Sequence, residues 1–336
     1  MTDTIRDTAI EFDVLAIGNA LVDVLAHADE PFLDGHGMVK GSMTLIDTVQ
    51  AEALYGAMGP GVEVSGGSAA NTTVGIASFG GRAAFIGRVR DDQLGQVFAH
   101  DIRAIGARFD TPPLNDGLAT ARSLINVTPD GHRTMSTFLG AATALGPEDV
   151  DEALIRDAAI TYLEGYLFDA PAAREAFVKA AGIARAAGRK VAITLSDVFV
   201  AERWRAELIA FLPQVDIVFA NQNEVRALFE TEDHLAAAQA LAERVEVAAV
   251  TMSEQGSLAI RGGERADAKA WPVVQVVDTT GAGDQYAAGF LLGLARGLPL
   301  KTCAELGSLA GSEVIQHYGP RPQKSLAAMA RAEGLL

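Results

Sequence analysis

The chain has 336 residues, of which 49% are hydrophobic and 21% charged, and it carries a formal net charge of −16. At roughly 100–200 residues per domain this suffices for two domains or one large α/β domain with an addition, and the balance excludes wholesale disorder. So negative a charge repels nucleic acid and anionic membranes, whereas a small anion can still be held locally by backbone N–H groups.

Residues 1–11 are polar and mixed in charge, without the basic-then-apolar layout of a signal peptide, and read as an N-terminal extension. No apolar run approaches the ~20 residues that span a bilayer, so a cytoplasmic protein is expected. The single cysteine, Cys303, excludes an intrachain disulfide framework and a multi-Cys zinc site. From Phe12 an apolar run ends in Gly18-Asn19, as buried parallel strands do. Val22–Leu45 holds little helix signal and two glycine-broken extended pieces. A small-residue segment, Gly66–Phe79, precedes a second strand, Ala83–Gly87. Ala119–Phe138 alternates as two strands around Pro129-Asp130-Gly131, a tight-turn signal. Strand runs follow at Ala159–Leu163, Val191–Leu195, Asp216–Ala220 and Val247–Thr251, with Ala-rich helical stretches such as 172–188 and 235–244 between most of them. Alternating strands and helices predict a mostly parallel sheet covered on both faces. The two deviating stretches, at about 22–46 and 118–139, predict a small antiparallel sheet that could serve as a lid.

The most informative segment is Asp278-Thr279-Thr280-Gly281-Ala282-Gly283-Asp284, which leads from a strand-like piece into a strongly apolar helix. Glycines at a helix start expose unpaired N–H groups at the positive end of the dipole, a ready anion site. Asp284 inside such a nest is either an N-terminal cap or a general base beside a phosphate.

This segment closely resembles the C-terminal signature of the ribokinase (PfkB) family of carbohydrate and nucleoside kinases. Gly66-Gly67-Ser68-Ala69-Ala70-Asn71 resembles the family's N-terminal Gly-Gly element, and Asn221-Gln222-Asn223-Glu224 its Asn-x-x-Glu element. In order, these motifs extend the resemblance over nearly the whole chain, implying a ribokinase-like α/β kinase domain over about 12–325. Asn19 and Asp23, four apart, His132-Arg133-Thr134, Glu164-Gly165-Tyr166 and Leu195–Phe199 look like the adenosine-kinase branch. Departures are Tyr286 where Phe is usual, Arg90 where Gly is common, and Thr73 after Asn71.

The resemblance implies ATP and Mg²⁺ as cofactors and assigns roles accordingly. Gly281 and the N–H groups of Ala282, Gly283 and Asp284 form an anion hole, Asp284 is the general base, and Arg133 reaches the phosphate from the lid. Asn19, Asp23, Gly66, Gly67 and Asn71 hold the sugar, while Tyr166 and Phe199 sandwich a purine. Asn221 and Glu224 orient water around Mg²⁺; Thr251, Gly256 and Thr279 belong to the ATP site. Asp278 and Thr280 match positions that hold a monovalent cation such as K⁺ in some members. The expected activity is phosphorylation of a nucleoside 5′-hydroxyl, adenosine first, by a monomer or homodimer. The alternatives are a sugar kinase acting on ribose, fructose or a related sugar, and a nucleoside- or sugar-binding regulator on the same scaffold. No Gly-x-x-x-x-Gly-Lys-Ser/Thr string or ligand-spaced histidine pair occurs, and Gly18-Asn19-Ala20-Leu21 fails the dinucleotide fingerprint.

Overall fold

The computed structural model describes residues 10–336; residues 1–9 of the expected N-terminal extension lie outside the described residues. Its strands, in chain order, are β1 (Phe12–Ile17), β2 (Leu21–His27), β3 (Met43–Leu45), β4 (Gly61–Gly66), β5 (Ala83–Ile86), β6 (Ala121–Val127), β7 (Arg133–Phe138), β8 (Ala158–Glu164), β9 (Lys190–Thr194), β10 (Ile217–Asn221), β11 (Val247–Thr251), β12 (Ser257–Arg261) and β13 (Glu264–Ala268).

Eight of them form one sheet in the order β13-β12-β11-β10-β9-β8-β1-β5. From β11 to β5 every pairing is parallel, and β12 and β13 close one edge antiparallel. Val14, Leu15, Ala16 and Ile17 of β1 are all fully buried, the mark of a strand covered on both faces. One face is covered by helix Ala282–Ala295, which packs on helices Leu300–Val314 and Ser68–Ser78. Phe290, Leu291 and Leu292 are fully buried there, each stabilising by roughly 1.5–3 kcal/mol. Gly289 permits this packing, since a Cβ there would lie 2.5 Å from the Leu306 carbonyl.

The remaining five strands form a second sheet, β3-β7-β6-β2-β4. The Pro129-Asp130-Gly131 turn lies between β6 and β7, with Gly131 at φ +84°. This sheet is mixed rather than antiparallel throughout: β2 pairs with β6 and β3 with β7 in parallel. The early and late chain segments interleave, so strands far apart in sequence become neighbours without a hairpin. Several elements escape the sequence pattern, β12 and β13 of the main sheet among them. Strand β4 lies outside the two deviating stretches, and helix Glu30–Gly35 forms inside the first, nucleated by the Asp29 cap and Pro31 in its first turn.

Candidate active site

The carboxyl ends of the parallel strands converge on a cleft of about 1410 Å³, floored by the main sheet and faced by the second. In open α/β sheets this is where ligands bind. At one end Leu21, Asp23, Val64, Ser123 and Ile125 of the second sheet meet Gly67, Ser68 and Asn71. At the other lie Asn221, Glu224, Thr251, Gly256 and Trp271, with Thr279–Asp284 between.

The Gly-rich turn is built as expected, with one change. Gly281 caps helix Ala282–Ala295 at φ +80°, where a Cβ would strike Pro320 at 2.6 Å. The N–H of Ala282 is spent on the Thr279 carbonyl (3.2 Å), because the turn closes on itself there. Among the described residues no acceptor takes the N–H groups of Gly281, Gly283 or Asp284, so these three remain open to an anion. Gly283 and Asp284 of the expected trio thus keep open N–H groups, and Gly281 takes the place of Ala282.

Asp284 is half-buried in the first turn, its side chain directed at helix Ser68–Ser78. Ser68 Oγ donates to Oδ1 at 2.6 Å and Asn71 Nδ2 to Oδ2 at 3.1 Å. Burial pushes its carboxyl up to about 6, against the lowering effect of those two bonds. It is a stronger base than a carboxylate at the ordinary ~4, and closer to the pH at which general-base catalysis works best.

Asp23, on β2, faces the same space. Among the described residues no donor reaches its carboxylate, and Gly66 lies so close that a Cβ would sit 2.5 Å from Oδ2. Burial raises it to about 6, opposed by the positive charges of Arg321 and Arg133 and reinforced by Asp284. Gly67 takes φ +104° at the start of helix Ser68–Ser78, with the Asn19 carbonyl 2.3 Å from where a Cβ would be. Only glycine fits both restraints. Asn71 lines the cleft, but its two ends serve Asp284 and Arg321.

Several expected residues sit differently. Asn19 lies behind the cleft wall: its side-chain and backbone N–H groups both donate to Glu164. The purine sandwich is absent. Tyr166 lines the cleft, but the Phe199 ring packs against it with centroids 6.0 Å apart and planes tilted by 35°. Rings at that separation contact each other, leaving no slot for a base between them. Asn221 and Glu224 form a capping box at the start of helix Gln222–Phe229, each side chain bonded to the other residue's backbone and to its partner side chain. Glu224 is nevertheless buried on the cleft wall, its carboxyl pushed up to about 7 by burial.

Arg133 reaches from β7 to Asp278 Oδ2 at 2.8 Å and lies over the Tyr318 ring, 5.3 Å from its centroid. Asp278 also accepts from Thr280 N (3.0 Å), Thr280 Oγ1 (2.7 Å) and Gly319 N (3.1 Å). Both oxygens of the Asp278 carboxylate are thus engaged by protein donors, one of them a guanidinium. Thr251, Gly256 and Thr279 all line the far end of the cleft. Gly256 is required by φ +92° and by the Ala268 carbonyl, 2.1 Å from where a Cβ would be.

Three residues were given no role in the sequence analysis. Ser68 donates to the Asp284 carboxylate. Glu164, the last residue of β8, accepts from Ala69 N (2.9 Å) and Asn19, tying the Gly66-Gly67 turn to the main sheet. Burial raises its carboxyl to about 7. Arg321 enters the cleft from the loop after helix Leu300–Val314. Its local signal, a lone arginine fixed between Pro320 and Pro322, was present in the sequence.

A family profile described as pfkB family carbohydrate kinase matches residues 41–326. The fold superimposes on a structure of adenosine kinase from Sinorhizobium meliloti with a TM-score of 0.89, at 53% identity over 96% of this chain and 99% of that one. A probable sugar kinase protein from Rhizobium etli gives a TM-score of 0.90 at 48% identity, over 97% of this chain and 100% of that one. The adenosine kinase of Saccharomyces cerevisiae is 24% identical over 330 residues, 91% of this chain and 96% of its own length.

Proposed function

The chain belongs to the pfkB family of carbohydrate kinases, and from that premise we propose that this ATP-dependent kinase phosphorylates the 5′-hydroxyl of a nucleoside, adenosine first. The observation that carries the reading is one cleft lined by an unpartnered carboxylate at Asp23, a half-buried carboxylate at Asp284 and the open N–H groups of Gly283 and Asp284. A neutral diol suits the first, an attacking hydroxyl the second and a phosphate the third. The high identity to the Sinorhizobium meliloti adenosine kinase supports the choice of nucleoside.

Phosphoryl transfer asks mainly for positioning and charge neutralisation. Asp284 takes the proton of the attacking hydroxyl, and Ser68 and Asn71 hold its carboxylate toward the cleft. The helix N-terminus at Gly283 presents fixed donors where negative charge develops, with no reorganisation during the reaction. Arg133 adds a positive charge to the cleft and ties the second sheet to Asp278, a contact through which closure would limit water. Among the described residues no cluster of three or more His, Cys, Asp or Glu could hold a metal ion. Mg²⁺ would therefore be held chiefly by ATP phosphates and water, with Glu224 facing that hydration shell, and it would neutralise phosphate charge.

The identity to a probable sugar kinase favours a second reading, a sugar such as ribose or fructose as acceptor. A single screen separates them: ATP, Mg²⁺ and adenosine, inosine, cytidine, ribose or fructose at equal concentration, with product followed by ADP release. The nucleoside reading expects kcat/KM for adenosine to exceed that for either sugar by at least tenfold. Preference for ribose or fructose would overturn it.

A further inference from the structure

Arg321 lines the cleft with a charge that the sequence analysis gave no role. The loop that carries it is fixed on both sides. Gln285 Nε2 donates to the Pro320 carbonyl at 3.0 Å, and Gly319 N donates to Asp278. Glu313 Oε1, on a buried residue, accepts from Gln323 N (3.1 Å) and Lys324 N (3.0 Å), and Gly281 packs on Pro320. The guanidinium is thereby preorganised, and Nε makes one long bond to Asn71 Oδ1 at 3.4 Å. Its Nη2 is buried and has no hydrogen-bond partner among the described residues. Leaving a buried charged donor unpaired costs more than a hydrogen bond returns, so such a group in a cleft calls for a ligand.

Asp23 supplies the matching half. The Arg321 charge opposes the rise that burial imposes on the Asp23 carboxyl, yet no ion pair within 4.0 Å forms between them among the described residues. An unpartnered carboxylate and a guanidinium with an unpartnered Nη2 thus line the same cleft. The carboxylate accepts from a hydroxyl; the guanidinium donates to one. Their charges offset, which disfavours an acceptor bearing a phosphate or carboxylate of its own.

We propose that Arg321 is a specificity-determining residue of the acceptor site, its Nη2 donating to one hydroxyl of a neutral sugar ring whose neighbouring hydroxyl donates to Asp23. This rests on the kinase reading and deepens it: the acceptor is an uncharged ring with vicinal hydroxyls. Through Nε, Arg321 also orients Asn71 and hence the Asp284 carboxylate.

The test is steady-state kinetics of the wild type, Arg321→Met and Arg321→Lys, each with thermal melting to establish folding. Arg321→Met should raise KM for the acceptor about 10- to 100-fold, as loss of a charge-assisted hydrogen bond does, while KM for ATP stays within about twofold. The groups facing Arg321 are Asp23 and Asp101, and those facing Asp23 are Arg321, Arg133 and Asp284. Removing one of the two cations beside Asp23 should move the acid limb of kcat/KM for the acceptor to higher pH. Arg321→Lys should hold that limb near the wild-type position and still raise KM, since an ammonium keeps the charge but loses the fork. Of the 2′- and 3′-deoxy acceptors, the one lacking the hydroxyl that meets Arg321 should lose affinity with wild type and lose nothing further with Arg321→Met, whereas the one lacking the hydroxyl that meets Asp23 should lose affinity with both. Should the wild type prefer ribose or fructose, the nucleoside reading falls and the same comparison is made with that sugar and its 2-deoxy form. Equal rises in both KM values, an unmoved acid limb, or preference of the wild type for fructose 6-phosphate over its neutral acceptors would overturn the assignment. If Arg321→Met does not fold, the KM split and deoxy comparison with Arg321→Lys decide it.

Discussion

Asp284→Asn should damage catalysis and stabilise the fold, and the two effects have one cause. The carboxyl is held at about 6 rather than its ordinary 3.8, so its ionised form is disfavoured in the folded protein by about 3 kcal/mol at most. The cleft exposes part of Asp284 to water, which brings the realistic figure to about 1–2 kcal/mol. The sign follows from proton counting. Between pH 4 and pH 6 the folded chain binds more protons at this site than the unfolded chain, so stability declines as pH rises through about 6. An asparagine removes that decline. It also fits locally: the Ser68 hydroxyl can reverse to accept from the new amide, while Asn71 continues to donate to the remaining oxygen. Differential scanning fluorimetry without ligands should find the variant melting a few degrees above wild type at pH 8, with the gap closing at pH 4.5. Its kcat should fall about 10²- to 10⁴-fold, with ATP affinity retained. Unchanged turnover would refute the assignment of Asp284 as base; equal destabilisation at both pH values would refute the electrostatic account of its burial.

The remaining predictions concern the groups around it. Wild-type kcat/KM should drop below about pH 6 more steeply than a single ionisation allows, because Asp23 and Asp284 both titrate near 6 and interact; a one-proton limb near 4 would contradict this. Arg133→Ala should lower kcat about 10²-fold and raise ATP hydrolysis without acceptor, since the ion pair joining the second sheet to Asp278 is lost; an unchanged hydrolysis rate in an ADP-release assay would argue against closure by this contact. Glu224→Gln should increase the Mg²⁺ concentration needed for half-maximal activity without altering KM for the acceptor, whereas a purely capping role leaves both where they are. Gly67→Ala should lower stability by about 2–5 kcal/mol in a urea melt, the combined cost of a strained φ and a Cβ forced onto the Asn19 carbonyl.

What the sequence revealed, and what it hid, follows the range over which each feature is determined. Gly281, Gly283 and Asp284 were legible because a strand, a glycine turn and a helix start are encoded by adjacent residues, and local chemistry dictates an anion nest there. The parallel order of the main sheet was legible for a similar reason, since alternating apolar runs and helices admit few topologies. Strand pairing in the second sheet was not, because β2 finds β6 nearly a hundred residues away and nothing local specifies whether they run together or opposed. The Tyr166–Phe199 sandwich failed on a distance: two aromatics at suitable positions predict contact, but whether they stack on a ligand or on each other is set by how far helix Val198–Arg203 stands from β8. Glu164 and Arg321 were hidden more completely. One stood within the Glu164-Gly165-Tyr166 segment and the other carried no motif, and each gains its place only when remote chain segments meet. Glu164 finds two backbone donors from separate turns, whereas Arg321 finds Asn71, from 250 residues earlier, and an unbridged Asp23. The contrast separates scaffold from site. Glu164 is satisfied within the protein, so its burial needs no ligand to explain it. Arg321 keeps a buried Nη2 unsatisfied in the same cleft, and that residual demand marks where the acceptor belongs.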